Sequence, residues 1–415
     1  MKKDYIQFEQ VVERGCGMDV HKKEIVATIR GKGIKTMTKS FKTFTNSLEE
    51  LKKWLKRHGI THIAIESTGV YWKPIFNILG DDFQILLVNA RHVKNVPGHK
   101  TDKTDSRWLA KLLLSGLLKG SFIPTQEIRE LRDLTRYRRK LIQQVSSDKN
   151  RFQKILEDAN IKLSVVLSDV FCVTGKKLIQ EILSENYNPE NLLRHVHGRV
   201  KASREDIKEA LTGNITEHHR FMLRTILENM KRIESTIAEI DQKIAQKTEQ
   251  YKDIIELLKT IPGVDYNGAI GIISEIGVDM EKFPSHKHIT SWAGVCPGKN
   301  ESAGKNKSGR ITYGNIHLRS LLTELAWSAS RTKNTYLSSK YKSLVKRRGD
   351  KRAIIAVGHK ILIAAYFIIK DKTEYKELGA DHLNNFRKDK LIAYYQKQLE
   401  TLEPNIDFDK QKQIA

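Results

Sequence analysis

Cysteine is scarce: Cys16, Cys172 and Cys296 lie far apart and form no CxxC pair. That argues against a zinc site and a disulfide framework, and sets the expectation of a reducing, cytoplasmic setting. No apolar run reaches the ~20 residues needed to span a bilayer, and Met1-Lys2-Lys3-Asp4 leads into no signal-peptide core. Acids are also in short supply, 49 Asp and Glu against 73 Lys and Arg, for a net charge of +24. Such an excess points to a polyanionic partner, because each neutralised phosphate releases counterions. Aromatics make up 7% and apolar residues 39%, which suits a globular, helix-rich chain rather than a disordered one. At 415 residues, two or three domains can each bury a core.

Residues 15–125 read as α/β. Gly15 to Val20, Glu24 to Ile29 and Lys35 to Phe44 pattern as three strands of an antiparallel meander. Asn46 or Ser47 can cap a helix carrying Leu48, Leu51, Trp54 and Leu55, with Gly59 as its stop. A buried-type strand from His62 to Glu66, a helix through Tyr71 to Leu79, a strand from Phe83 to Val88 and a helix from Asp102 to Leu118 follow. That order predicts an RNase H-like sheet, giving a first domain over 1–124.

Residues 125–258 are nearly continuous helix. Ile226, Met230, Ile233, Ile237, Ile240 and Ile244 step by four and three, which predicts a coiled-coil seam for dimerisation or packing within the chain. The stretch broken by Gly175, Pro189, Gly198 and Gly213 predicts a small helical insertion near 160–215. A third, mainly α unit spans 259–375, with a basic glycine-rich loop from Gly298 to Gly314, and a charged, peripheral tail covers 376–415.

Asp19 ends the first strand and Glu66 the fourth, while Asp102 and Asp105 lie three apart at a helix start. Neighbouring carboxylates repel unless divalent cations sit between them, and Mg²⁺ prefers oxygen ligands. Two such ions can bind the attacking and leaving oxygens of a phosphodiester. Taken singly, Asp102 and Asp105 equally suit a helix dipole, and Asp19 equally suits a turn. Glu66 follows the apolar run Ile63-Ala64-Ile65, where a charge is costly. The basic flanks Arg91, His92, Lys94, His99, Lys100, Lys103 and Arg107 favour a metal site acting on nucleic acid.

The segments Gly17-Met18-Asp19-Val20-His21-Lys22, Glu66-Ser67-Thr68-Gly69-Val70-Tyr71-Trp72 and Lys103-Thr104-Asp105 resemble the N-terminal domain of DEDD transposases of the insertion-sequence 110 family. Leu258 to Val264, Trp292 to Pro297, Gly314-Asn315 and Leu318-Arg319 resemble that family's second domain. The resemblance implies a RuvC-like first domain with Asp19, Glu66, Asp102 and Asp105 as a tetrad for Mg²⁺, or Mn²⁺ in its place. It implies a serine nucleophile matching Ser302, although Glu301 and Ala303 depart from the Gln-Ser-Gly common in relatives, and Ser308 competes for the role. It also implies a bacterial or archaeal source and a structured bridge RNA that pairs with donor and target DNA.

A serine hydroxyl needs a base or a metal to become a nucleophile. Lys305, Lys307 and Arg310 are placed to bind the scissile phosphate. Joint action of serine and tetrad would require the two domains to meet, across a homodimer or homotetramer. Ile261-Pro262-Gly263-Val264 resembles a helix-hairpin-helix turn that would hold a phosphate on backbone N–H groups, or equally a packing corner, since Asp265 would repel phosphate. Two rival readings are a RuvC-like nuclease hydrolysing nucleic acid without a covalent intermediate, and a basic scaffold with no catalysis.

Overall fold

Alternation in Arg14–Val20 separates two surfaces of one strand: Cys16, Met18 and Val20 are buried on one side, while Gly15, Gly17 and Asp19 take the other. The computed structural model describes residues 11–66, 69–88, 102–184, 188–196, 200–298, 300–302, 305–308 and 310–402. The chain divides into two units, residues 1–123 and 124–415.

In the first unit, β1 (Arg14–Val20), β2 (Glu24–Gly31), β3 (Ile34–Lys42), β4 (His62–Glu66) and β5 (Gln84–Val88) form one sheet in the order β3-β2-β1-β4-β5. The first three strands are antiparallel, and β4 and β5 run parallel to β1. Helices α1 (Thr45–Arg57) and α2 (Trp72–Leu79) cover the Met18 face, where Leu48, Leu51, Leu55, Ile75 and Leu79 meet Ile25, Ile63 and Ile65. Helix α3 (Asp102–Leu114) covers the opposite face through Leu109 and Leu113, against Ala64 and Val88.

Two local expectations change. Helix α1 has no side-chain cap, and the Ser47 hydroxyl instead accepts a 3.1 Å bond from the Lys42 N–H, closing the turn out of β3. Helix α3 ends at Leu114 rather than Leu118. Gly116 adopts φ +65°, the Leu117 N–H donates to Leu112 O and the Gly116 N–H to Leu113 O, a Schellman stop that satisfies the last carbonyls.

The contact between α3 and β1 depends on glycine. A Cβ on Gly17 would lie 2.3 Å from Ser106 O and 2.4 Å from Ala110 N. Both are backbone atoms, so Gly17→Val should push α3 off the sheet and cost about 3 kcal/mol, read as a lowered urea midpoint.

In the second unit, α4 (Gln126–Asp158) leads to a helical subdomain that includes α5 (Val173–Ile182) and α6 (Arg204–Leu211). Its core residues Leu163, Leu178, Ile182, Ile207 and Leu211 pack on Phe152, Leu156 and Leu223. Helix α7 (Glu217–Thr248) then returns antiparallel to α4. Glu130 with Lys247 (2.6 Å), Arg138 with Asp241, Asp148 with Asn229 (2.7 Å) and Asp158 with His219 (2.9 Å) mark the pairing from end to end. Met230, Ile233, Ile240 and Ile244 are buried, and Ile226 and Ile237 half-buried. The isoleucine seam is therefore covered inside the chain by α4, not offered to a second copy.

Helices α8 (Lys252–Lys259), α9 (Tyr266–Ile276) and α10 (His286–Trp292) precede the hairpin β6 (Asn300–Ser302) and β7 (Lys305–Ser308). Then come α11 (Ile316–Arg331), α12 (Tyr336–Arg348), α13 (Asp350–Asp371) and, in the tail, α14 (His382–Leu402). Helix α13 is long and apolar enough by length and composition to cross a membrane, although Lys351, Arg352 and Lys360 interrupt its apolar run. Its apolar residues Ile354, Val357, Ile361, Leu362, Ala365 and Ile368 are buried, and α11 and α12 pack on it, so it is the core helix of this unit.

Candidate catalytic and DNA-binding site

Strands β1 and β4 pair in parallel up to Met18 opposite Ile65, so Asp19 and Glu66 stand next in register at the same ends of adjacent strands. Both alternate onto the face covered by α3. Leu113 lies 2.8 Å from a Cβ built on Gly15, and Ser106 and Ala110 flank one on Gly17, so α3 runs antiparallel to β1. Two strand residues advance about 6.6 Å and one helical turn about 5.4 Å. The first turn of α3, with Asp102 and Asp105, is therefore next in line opposite Asp19. Beneath it, Ser106 Oγ and Thr28 Oγ1 are 2.8 Å apart, both residues fully buried, and Arg107 Nε donates to Thr38 Oγ1 at 3.3 Å.

Asp19 is 7% exposed, and His21 Nε2 lies 3.2 Å from its Oδ2. A carboxylate buried to that degree requires compensating donors or a cation. Glu66 and Asp105 are half-buried. Asp102 and Lys103 belong to α3, but their side chains lie outside the described residues, as do Arg91, His92, Lys94, His99 and Lys100 entirely. Among the described residues no group of three or more His, Cys, Asp or Glu could hold a metal ion as it stands. Donor chemistry on this face is carboxylate oxygen from two strand ends and a helix start, the set that suits Mg²⁺. The motif Gly17 to Lys22 carries His21 without indicating that its ring approaches the Asp19 carboxylate.

In the second unit, Ser302 pairs with Lys305 at the turn end of the β6–β7 hairpin, and Ser308 pairs with Asn300 at the other end. The side chains of residues 301–308, including Lys305 and Lys307, lie outside the described residues. Below the hairpin, Pro297 bridges Ile311, the Gly298 N–H donates to Arg310 O at 2.8 Å, and the Thr312 N–H to Cys296 O at 3.2 Å. Gly294, at φ +70°, and Gly314 touch backbone to backbone: a Cβ on Gly314 would fall 2.3 Å from Gly294 N.

Asn315 follows at once and caps α11, its Oδ1 accepting from the His317 and Leu318 N–H groups at 3.0 and 3.2 Å. Its Nδ2 donates to Glu275 Oε2 at 2.6 Å. Glu275 also receives a two-pronged bond from Arg136, at 2.7 and 2.8 Å, and Arg132 Nε lies 3.5 Å away. Burial pushes the Glu275 carboxyl up, but the Arg136, Arg132 and Asn315 donors together outweigh it and hold the group below the ordinary carboxylate range. Burial pulls Arg132 down to about 10, which leaves it charged at neutral pH. Burial, then the Arg136 charge, lower the His317 imidazole. Residues on α4, α9 and α11 are thus tied to the foot of the serine hairpin by charge-assisted bonds. Sequence reading missed this network, although its signal was there: Glu275 is a lone acid in the apolar run Gly268 to Ile276.

The Ile261-Pro262-Gly263-Val264 turn joins α8 to α9 with Gly263 at φ +85°, where a Cβ would fall 2.4 Å from Ala329 N. Asp265 caps α9 by accepting from the Gly268 N–H at 2.7 Å. Its carboxylate occupies the donors a phosphate would need, which is the geometry of a packing corner.

Residues 16–161 match the DEDD transposase family model of the IS110 group. Residues 255–342 match the model described as Transposase IS116/IS110/IS902 family. The chain is 24% identical over 321 residues to the transposase for insertion sequence element IS1533 of Leptospira borgpetersenii, covering 75% of this chain and 84% of that protein. It is 23% identical over 352 residues to the pilin gene-inverting protein of Moraxella bovis, covering 80% of this chain and 89% of that one. The strand-end acids fall inside the first matched segment and the serine hairpin inside the second, and the chain belongs to the IS116/IS110/IS902 family of DNA transposases.

Proposed function

We propose that this transposase cuts and rejoins DNA with two sets of residues: Asp19, Glu66, Asp102 and Asp105 on an RNase H-like, RuvC-type sheet, and Ser302 as nucleophile. The observation that carries the reading is the adjacency of Asp19 and Glu66 at the ends of parallel β1 and β4, on the face where α3 begins. The sheet order β3-β2-β1-β4-β5, with an antiparallel meander and two parallel strands, supports the RNase H-like assignment. The relative named for inverting a pilin gene supports recombination in preference to plain hydrolysis.

Ser302 Oγ attacks a DNA phosphorus as the bond to one sugar oxygen breaks. The serine proton leaves to a base, and the departing sugar oxygen takes up a proton. A phosphoserine link holds the bond energy until a hydroxyl of the incoming strand attacks it and restores the serine. Bound at the four carboxylates, Mg²⁺, or Mn²⁺ in its place, would offset charge on the phosphate oxygens. Lys305, Lys307 and Arg310 hold the attacked phosphate, and Lys100, Lys103 and Arg107 the neighbouring backbone. Ser302 is favoured over Ser308 because it stands beside the hairpin turn, whereas Ser308 pairs at the opposite end. Choice of site belongs to a bridge RNA, and the working form is a homodimer or homotetramer.

Denaturing gels of quenched reactions test this. Ser302→Ala should lose the covalent protein–DNA adduct and Ser308→Ala should keep it. An undiminished adduct in Ser302→Ala overturns the assignment, and cleavage with no adduct in the unsubstituted protein returns the reading to hydrolysis by the acids alone.

A further inference from the structure

At the foot of the serine hairpin lies a pocket of about 490 Å³ whose walls include Arg310, Thr312, Tyr313, Ile316, Arg319 and Ile355. Its size falls within the ~300–1,000 Å³ range of small-ligand sites. Tyr313 is 76% exposed and Ile316 62%, an aromatic and an aliphatic face open to solvent. Arg319 is half-buried, and its guanidinium has no partner among the described residues. Thr312 Oγ1 is buried without a hydrogen bond among the described residues. The larger cleft of this unit, about 740 Å³, differs in this respect. Its Arg136, Arg138 and Arg139 are matched by Glu275, Asp241 and Glu324.

We propose that the smaller pocket takes one unpaired nucleotide of the DNA strand being exchanged. The base stacks on Tyr313 and Ile316, and the phosphate is held by Arg319. The assignment rests on the Ser302 reading. Ser302 stands four residues along the chain from Gly298, whose N–H bonds Arg310 O, so at most about 14 Å of chain, or a few nucleotides of strand, separates them. A base inside a duplex is already stacked and offers no free face, so the occupant is a nucleotide out of the helix. Strand exchange unpairs bases next to the cut, which supplies that nucleotide at this place.

The test uses the full-length protein and a short single-stranded oligodeoxynucleotide carrying 2-aminopurine, followed by fluorescence quenching and anisotropy. The unsubstituted protein and Tyr313→Phe should quench, and Tyr313→Ala should lose the quench and weaken binding on the order of tenfold. Arg319→Ala should weaken binding by a similar factor, with unchanged thermal midpoints showing both variants folded. Full quenching by Tyr313→Ala, or unweakened binding by Arg319→Ala, overturns the proposal. Tighter binding of the matching oligoribonucleotide, with the same dependence on both residues, overturns it in favour of RNA. Ser302→Ala should lose the adduct and keep the quench. An adduct that persists there fails the serine reading alone, whereas a quench kept in full by Tyr313→Ala fails the pocket alone.

Discussion

Asp19→Asn should abolish strand transfer, by at least about 10³-fold or about 4 kcal/mol of activation free energy, while the protein stays folded. Asparagine keeps the shape of aspartate and removes the charge that would hold a divalent cation. Asp19 is 7% exposed on the α3 face, so a neutral group there relieves the cost of a buried carboxylate. The thermal midpoint should therefore hold or rise as activity disappears. That split separates a working acid from a structural one, because a structural acid would lose stability and activity together. A strand-transfer assay beside a melting curve checks it. Retained transfer by Asp19→Asn would remove the acidic site from the mechanism.

Glu275→Ala should be among the most destabilising single changes in the second unit, at about 3–5 kcal/mol. The Glu275 side chain is 4% exposed and receives Arg136, Arg132 and the amide of Asn315. Its removal leaves two neighbouring guanidiniums without their shared anion and loosens the residue that caps α11. Urea unfolding measures the loss. Acid should reproduce part of it. The carboxyl is held below its ordinary value of 4.5 when folded, so its stabilisation is fully present above that value. It is lost as pH falls through the depressed folded value. A stability profile from neutral to acid pH should show this component in the unsubstituted protein and lack it in Glu275→Gln. An identical profile in both would mean that the charge on Glu275 contributes nothing.

Order and type of the elements in the first unit were legible because their signals are local. Alternation marks β1, the apolar run before Glu66 marks a buried strand, and Leu48, Leu51 and Leu55 mark one helical face. The motifs that carry the family resemblance are likewise short, which is why Asp19, Glu66 and Ser302 could be proposed as candidates from sequence. Helix ends were less legible. Whether Ser47 caps α1 or bonds Lys42, and whether α3 runs on past Gly116, depends on competition between partners a few residues apart.

Pairing across long stretches of chain was not legible at all. The isoleucines of α7 announce an apolar stripe and do not say what covers it. Helix α4 does, through pairs such as Glu130 with Lys247, 117 residues apart. Arg136 and Glu275 are 139 residues apart, and a lone acid in an apolar run marks Glu275 as buried without saying which cation meets it. Periodicity and glycine positions act within one or two turns, so the sequence alone determined the elements and the residue types at their ends. Partner choice depends on which desolvated charges and apolar faces meet after the chain has folded back, and only the tertiary structure decided that.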